Sequence, residues 1–62
     1  MRAPNRYRVT FWYGSRRDAV TYTSNERRGS LENRKAAFWA IAFQRGDHVA
    51  YHADIERIER VM

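Results

Sequence analysis

Residues 6 to 23 alternate between large apolar side chains and polar ones, with a Gly-Ser pair near the middle. A four-residue loop over 14–17 would place Phe11 opposite Val20 and Val9 opposite Tyr22, so the pattern predicts a hairpin of two antiparallel strands. The β-branched and aromatic content of both strands supports this interpretation. One face of the hairpin is the predicted core and collects Tyr7, Val9, Phe11, Tyr13, Val20 and Tyr22.

The opposite face of the hairpin is polar apart from one large side chain, Trp12. An aromatic ring beside arginines on a sheet surface is typical of platforms on which single-stranded bases stack. The alternative is a packing role, in which Trp12 is covered by the N-terminal arm, by the last strand or by a partner subunit. The other members of this face are Arg8, Thr10, Ala19, Thr21 and Thr23.

A polar loop over 24–30 precedes a segment that predicts a helix from Leu31 to about Gln44. Ser30 is well placed to cap the start of this helix, and Glu32 lies in its electropositive first turn. Gly46 follows as a natural terminator, because glycine adopts the left-handed conformation at low cost. The sequence therefore predicts one helix between the hairpin and the C-terminal segment.

Apolar residues surround the predicted helix almost completely, which indicates burial on more than one side. At 100° per residue, the stripe predicted to lie on the sheet contains Leu31, Phe38, Ile41 and Ala42. A second surface, interpreted as a protein interface, contains Ala36, Trp39, Ala40 and Phe43. Two large rings beside two small residues favour a homodimer or docking on a larger protein. The alternative is that the C-terminal strands cover both rings within the monomer.

The C-terminal segment predicts a third strand through the alternating residues Val49, Tyr51 and Ala53. Beyond it, apolar residues recur at every third position, which fits a fourth strand entered through a turn at 53–54 with a bulge, or a short helix capped by Asp54. The strand is favoured because an isolated helix this short is unstable. The predicted order β-β-α-β-β makes an α+β fold, a small single-layer antiparallel sheet with one helix packed across one face.

The chain has 62 residues and no cysteine, so we expect a single small domain that is held together by packing alone. Residues 1–6 are expected to form a flexible basic N-terminal arm. No apolar run reaches the roughly 18 residues of a membrane span, and the N-terminus lacks the apolar region of a secretory signal. These features predict a cytoplasmic protein without a membrane partner.

Catalysis and metal binding are not predicted. His48 and His52 are four residues apart on the predicted third strand, about 13 Å, which is too far to share one metal ion. The sequence also lacks a nucleophile motif, a phosphate-binding glycine loop and a pair of catalytic acids. We therefore expect a non-catalytic protein with no cofactor, no metal and no small-molecule substrate.

The net charge of +5 is concentrated in the first part of the chain. Residues 1–35 hold nine Arg or Lys and three acidic residues, a balance of +6, whereas residues 36–62 have a balance of −1. Local positive charge favours a polyanionic partner. The alternative is codon bias in a GC-rich genome, because the chain has eleven arginines and one lysine.

The sequence thus favours a small binding module that contacts nucleic acid, DNA or RNA, through one basic end of the sheet and Trp12. The alternative is a protein-interaction module, such as a regulator or inhibitor of phage or bacterial type, that docks on a larger host protein through Trp39 and Phe43. The residues predicted to contact nucleic acid are Arg6, Arg8, Trp12, Arg27, Arg28, Arg34 and Lys35.

Overall fold

The structure is a computed structural model and describes residues 4–61. Strands β1 (Asn5–Tyr13) and β2 (Arg16–Ser24) are followed by helices α1 (Leu31–Arg45) and α2 (Asp47–His52) and by strand β3 (Asp54–Val61). The three strands form one antiparallel sheet in the order β2-β1-β3, and α1 packs against one face of it. The predicted α+β class is therefore confirmed.

The hairpin between β1 and β2 is tighter than predicted. Its loop contains only Gly14 and Ser15, and Tyr13 pairs with Arg16. Gly14 has a φ of 63°, whereas the φ of Ser15 is not positive. This is the pattern of a type II′ turn, which matches the twist of the strands. The predicted four-residue loop is wrong, because the two-residue turn already fits the twist of the two strands and a longer loop is not needed.

The tighter turn shifts the predicted register by two residues. Val9 pairs with Val20, and Phe11 pairs with Asp18. Because side chains alternate with a period of two, a shift of two residues leaves every side chain on its predicted face. The predicted core is confirmed: Tyr7, Val9, Phe11 and Val20 are buried, and Tyr13 and Tyr22 pack partly buried beside them.

The start and end of α1 agree with the sequence. The Ser30 Oγ accepts a hydrogen bond from the Asn33 backbone N–H at 3.1 Å, and Glu32 lies in the first turn. Gly46, with a φ of 107°, ends the helix and donates its backbone N–H to the Ala42 carbonyl oxygen. Both predicted helix signals are therefore confirmed, and the helix ends one residue later than predicted.

The face of α1 that lies on the sheet differs from the predicted stripe. Asn33, Ala37, Ala40 and Ile41 are buried against the sheet, whereas Leu31 is exposed. Small side chains let the helix approach the large residues of the strands closely. Of the predicted stripe, Ile41 is confirmed, Leu31 is wrong, and Phe38 and Ala42 are only half-buried.

The predicted third strand is wrong, because residues 47–52 form the short helix α2. It begins directly after α1, with the Ala50 N–H donating to the Gly46 carbonyl oxygen at 3.1 Å. Val49, Ala50 and Ala53 pack against the core. Val49, Ala50 and Ala53 lie on one face of a helix, just as Val49, Tyr51 and Ala53 would lie on one face of a strand. Because only Gly46 separates α1 from residue 47, too little chain is left for residues 47–52 to reach the sheet.

The favoured interpretation of the last segment is confirmed: β3 is a strand, and it pairs antiparallel with β1. The pairing is irregular between Thr10 and Phe11, where Glu56 is an extra residue on β3. This bulge directs both Ile55 and Ile58 toward the core. It therefore explains why these two apolar residues are three positions apart.

The predicted flexible arm overlaps the sheet. Asn5 and Arg6 belong to β1 and pair with Ser24 and Thr23, so these two residues are not part of an arm. The rest of the predicted arm lies outside the described residues, except for Pro4. In the part of the chain that the structure describes, neither helix is long and apolar enough to cross a membrane.

Candidate functional site

Trp12 lies on the outer face of the sheet, the face opposite α1, and β3 supplies its partner. Its indole Nε1–H donates to Glu56 Oε1 at 2.9 Å, and the other carboxylate oxygen accepts from Arg17 at 2.7 Å. The hydrogen bond from Arg17, and then that from Trp12, lowers the pKa of Glu56. The Trp12 side chain is left 37% exposed. Its indole therefore belongs to a network that ties together all three strands.

Arg8 also has an acidic partner on the outer face. Its guanidinium lies 3.1 Å from Glu59 Oε1, and Arg57 lies 4.0 Å from the same oxygen. Arg8 and Arg17 are each held by a carboxylate of β3, so the outer face alternates positive and negative side chains. The predicted basic platform around Trp12 is thus partly neutralised by residues that the sequence placed in an acidic C-terminal segment.

A cluster of arginines lies where the loop after β2, the start of α1 and β3 come together. Two shallow concavities meet at Arg28: one also contains Arg27 and Arg60, and the other contains Arg34 and Arg57. Among residues 4–61, no carboxylate oxygen lies within 4.0 Å of four of these guanidinium groups. We call the five residues the arginine cluster: Arg27, Arg28, Arg34, Arg57 and Arg60.

The arginine cluster differs from the predicted basic end of the sheet in five positions: it lacks Arg6, Arg8 and Lys35, and it adds Arg57 and Arg60. Arg27, Arg28 and Arg34 are brought together, as the sequence predicted. Arg8 instead forms an ion pair with Glu59 on the outer face of the sheet. Lys35 lines a groove beside Trp39.

Arg6, which was also predicted to contact nucleic acid, is exposed and pairs with Thr23 and Val61 at the same end of the sheet as the arginine cluster. Sequence reasoning missed Arg57 and Arg60, because the pairing partner of the last strand was not known. Pairing that strand antiparallel with β1 would have placed Arg60 beside Tyr7.

The outward side of the helices carries large apolar side chains. Trp39 is 76% exposed, Phe43 93%, Tyr51 85% and Leu31 63%. The alternative in which C-terminal strands cover Trp39 and Phe43 is wrong, because β3 lies on the sheet beside β1. Four large apolar side chains are therefore exposed on the two neighbouring helices.

Of the four residues of the predicted interface on α1, only two are fully exposed. Trp39 and Phe43 are exposed, but Ala40 is only 8% exposed and belongs to the core. Ala36 is half-buried at the boundary between the two faces. Ala40 contacts the sheet because the helix is rotated relative to the predicted stripe.

A groove of about 360 Å³ separates α1 from α2. Its walls are mainly apolar and are formed by Phe38, Trp39, Ala42, Ala50 and Tyr51. One basic side chain, Lys35, and one acidic side chain, Asp47, complete the lining. The groove therefore combines a mainly apolar lining with one charge of each sign.

The two histidines are closer than predicted. His48 and His52 lie one turn apart on α2, and their ring centroids are 4.7 Å apart. The predicted separation of about 13 Å is wrong, because it assumed a strand. Within the described residues, no group of three or more metal-ligating side chains includes this pair.

Comparisons with known proteins add nothing to this geometry: no family model matches the chain, and no curated protein or solved structure is significantly similar to it.

Proposed function

We propose that this protein is a small non-catalytic binding module that contacts nucleic acid through the arginine cluster. The observation that carries the proposal is the contrast between two sets of arginines. Arg8 and Arg17 are paired with carboxylates of β3, whereas Arg27, Arg28 and Arg60 lie together without such partners among residues 4–61. Unpaired guanidinium groups at one end of a protein favour phosphate, because they form bidentate contacts and release condensed counterions.

The proposed contact is with the phosphate backbone and not with stacked bases. Trp12 is the aromatic side chain expected to stack, but Glu56 holds its indole N–H and places a carboxylate beside the ring, which disfavours an approaching phosphate. In the described part of the chain, no exposed aromatic side chain lines the two concavities at the arginine cluster. Binding of this kind carries little sequence preference and weakens steeply with salt. The proposal includes the cytoplasmic location predicted from the sequence.

The experiment is a fluorescence-anisotropy titration of labelled single- and double-stranded oligonucleotides at low and near-physiological salt. The test variant is Arg28→Ala/Arg60→Ala, which removes two members of the arginine cluster. The matched control is Arg8→Ala/Arg17→Ala, which removes the same charge from the outer face. We expect the slope of log affinity against log salt to fall by about 0.9 per lost contact on duplex DNA in the test variant only.

Two results would count against the proposal. If the wild-type protein binds no oligonucleotide at low salt, nucleic acid is not its partner. If the control variant loses as much affinity as the test variant, net charge and not the arginine cluster determines binding.

The exposed apolar side chains of the helices favour a second candidate function, a module that assembles with another protein chain through α1. Trp39 and Phe43 line neither concavity of the arginine cluster, so their rings offer no donor to a phosphate bound there. Association through such a surface depends much less on salt than nucleic-acid binding does, which separates the two experimentally. The larger host protein predicted from the sequence is one possible partner, and a second copy of the chain is another.

A further inference from the structure

The outward surface of α1 and α2 is large enough to form a stable interface. Trp39, Phe43 and Tyr51 are all exposed, and an aromatic side chain buries roughly 150–250 Å² when it is covered. A standard interface buries about 800 Å² on each partner. The three rings and the groove beside them therefore supply most of this area on a protein whose whole surface is 4868 Å².

The groove carries one positive and one negative side chain, so the grooves of two copies can have complementary charges. Lys35 lies in the first half of α1, and Asp47 follows the end of that helix, so the two charges stand toward opposite ends of the groove. They form no ion pair with each other within the described residues. In a two-fold arrangement, a contact of one residue with a different residue of the partner copy occurs twice, once in each direction. Lys35 of one copy would then face Asp47 of the other, twice.

We propose that a second copy of this chain covers the surface, with the two α1 helices antiparallel across a two-fold axis. Trp39 of each copy enters the groove of the other and packs beside Ala42 and Ala50, whose small side chains leave room for the indole. The reciprocal Lys35–Asp47 pairs set the register of the two helices. A dimer of this kind also suits a 62-residue chain with a thin core.

The first test measures the mass of the purified protein by light scattering and sedimentation over a series of micromolar concentrations. The expected result is a dimer of twice 7.5 kDa. Trp39→Gln/Phe43→Gln should shift the protein to monomer with an unchanged circular dichroism spectrum, because both side chains are exposed in the monomer. Thr23→Gln on the outer face is the matched control and should remain dimeric.

The second test exchanges the charges of the groove. Lys35→Asp and Asp47→Lys should each weaken self-association by about tenfold or more, because each places like charges together twice. An equimolar mixture of the two variants should dimerise again, since every contact then joins opposite charges. This restoration is expected only if the partner is a second copy.

Three results would overturn the proposal. The first is a wild-type monomer at every concentration, as expected if a different protein covers the surface. The second is a dimer that persists in Trp39→Gln/Phe43→Gln, which would place the interface elsewhere. The third is a mixture of the two charge variants that associates no better than either variant alone.

Discussion

Asn33 is a polar side chain buried completely where α1 meets the sheet. Its Oδ1 accepts from the Tyr22 hydroxyl, and its Nδ2 donates to the Glu26 carbonyl oxygen at 3.0 Å. Desolvation, and then the neighbouring Tyr7, raises the pKa of Tyr22 to about 12, so its hydroxyl is protonated and donates at neutral pH. An asparagine is tolerated in this core because both ends of its amide have partners.

Replacing Tyr22 with Phe should lower the free energy of unfolding by about 1–3 kcal/mol, because the Asn33 Oδ1 loses its donor while it stays buried. Urea denaturation followed by circular dichroism measures the change. Tyr13→Phe is the matched control, since the Tyr13 ring is also half-buried but its hydroxyl makes no hydrogen bond in the described chain. Equal losses in both variants would show that the Asn33 contact contributes nothing special.

Sequence reasoning located the strand faces but not the helix face, and Asn33 shows why. A period of two gives only two faces, and aromatic residues on one of them identify the core of the hairpin. On α1 the bulky apolar residues suggested the wrong side, because size was taken as a sign of burial. The true contact uses Ala37 and Ala40 with a satisfied Asn33, and no pattern of hydrophobicity ranks such residues above Phe38 and Leu31.

At the scale of elements, both edges of the sheet are protected. Within residues 4–61, β2 has no strand on its outer side, but the Gln44 side chain donates to its Thr21 carbonyl oxygen at 2.7 Å. Arg45 forms an ion pair with Asp18 at 2.8 Å, and its hydrogen bond lowers the pKa of that carboxyl. On the other edge, β3 carries the Glu56 bulge and several charges, which discourage pairing with another strand.

The same elements explain which part of the site was predictable. Arg27 and Arg28 closely precede the recognisable helix cap Ser30, so local signals placed them near Arg34. Arg57 and Arg60 join them only because β3 crosses the sheet to pair with β1. Local sequence periodicity does not reveal such long-range pairing. The same is true of the hydrogen bond between Trp12 and Glu56, which are 44 residues apart.

The contact between Trp12 and Glu56 should depend on pH. The folded protein holds the pKa of Glu56 below its ordinary value of 4.5, so the interaction stabilises the fold above that pH and is lost as pH falls through the lowered value. In a Trp39→Phe background, which leaves Trp12 as the only tryptophan, indole fluorescence should change below about pH 4.5. Glu56→Gln should remove this transition. Its persistence in that variant would assign it to another carboxylate.

At the scale of the whole molecule, three surfaces have different chemistry. The arginine cluster lies at one end, charges of both signs neutralise much of the outer sheet face, and the outward helix surface is apolar. The described chain measures 39 × 18 × 17 Å. The arginine cluster and the exposed aromatic side chains share no residue, so substitutions can test the two proposals one at a time.

If both proposals hold, a dimer carries two arginine clusters, and the length of the nucleic acid should decide whether both are used. Antiparallel α1 helices would place the clusters toward opposite ends of the dimer, so a short oligonucleotide reaches only one of them. Its affinity should be the same for wild type and for Trp39→Gln/Phe43→Gln, which changes no charge. A longer strand that reaches both clusters should bind the wild type roughly 10²-fold more tightly than the variant, the lower end of the gain from two linked sites.

Anisotropy titrations with a series of oligonucleotide lengths measure this difference, and the salt concentration is held constant throughout. Equal affinity of both proteins at every length would mean that the two clusters never engage one strand, because the dimer directs them apart. Weaker binding of the variant to the short oligonucleotide would instead mean that the helix surface itself touches nucleic acid, since the short strand cannot report on dimerisation. Only a difference that appears with length ties the apolar helix surface to the strength of binding at the arginine cluster.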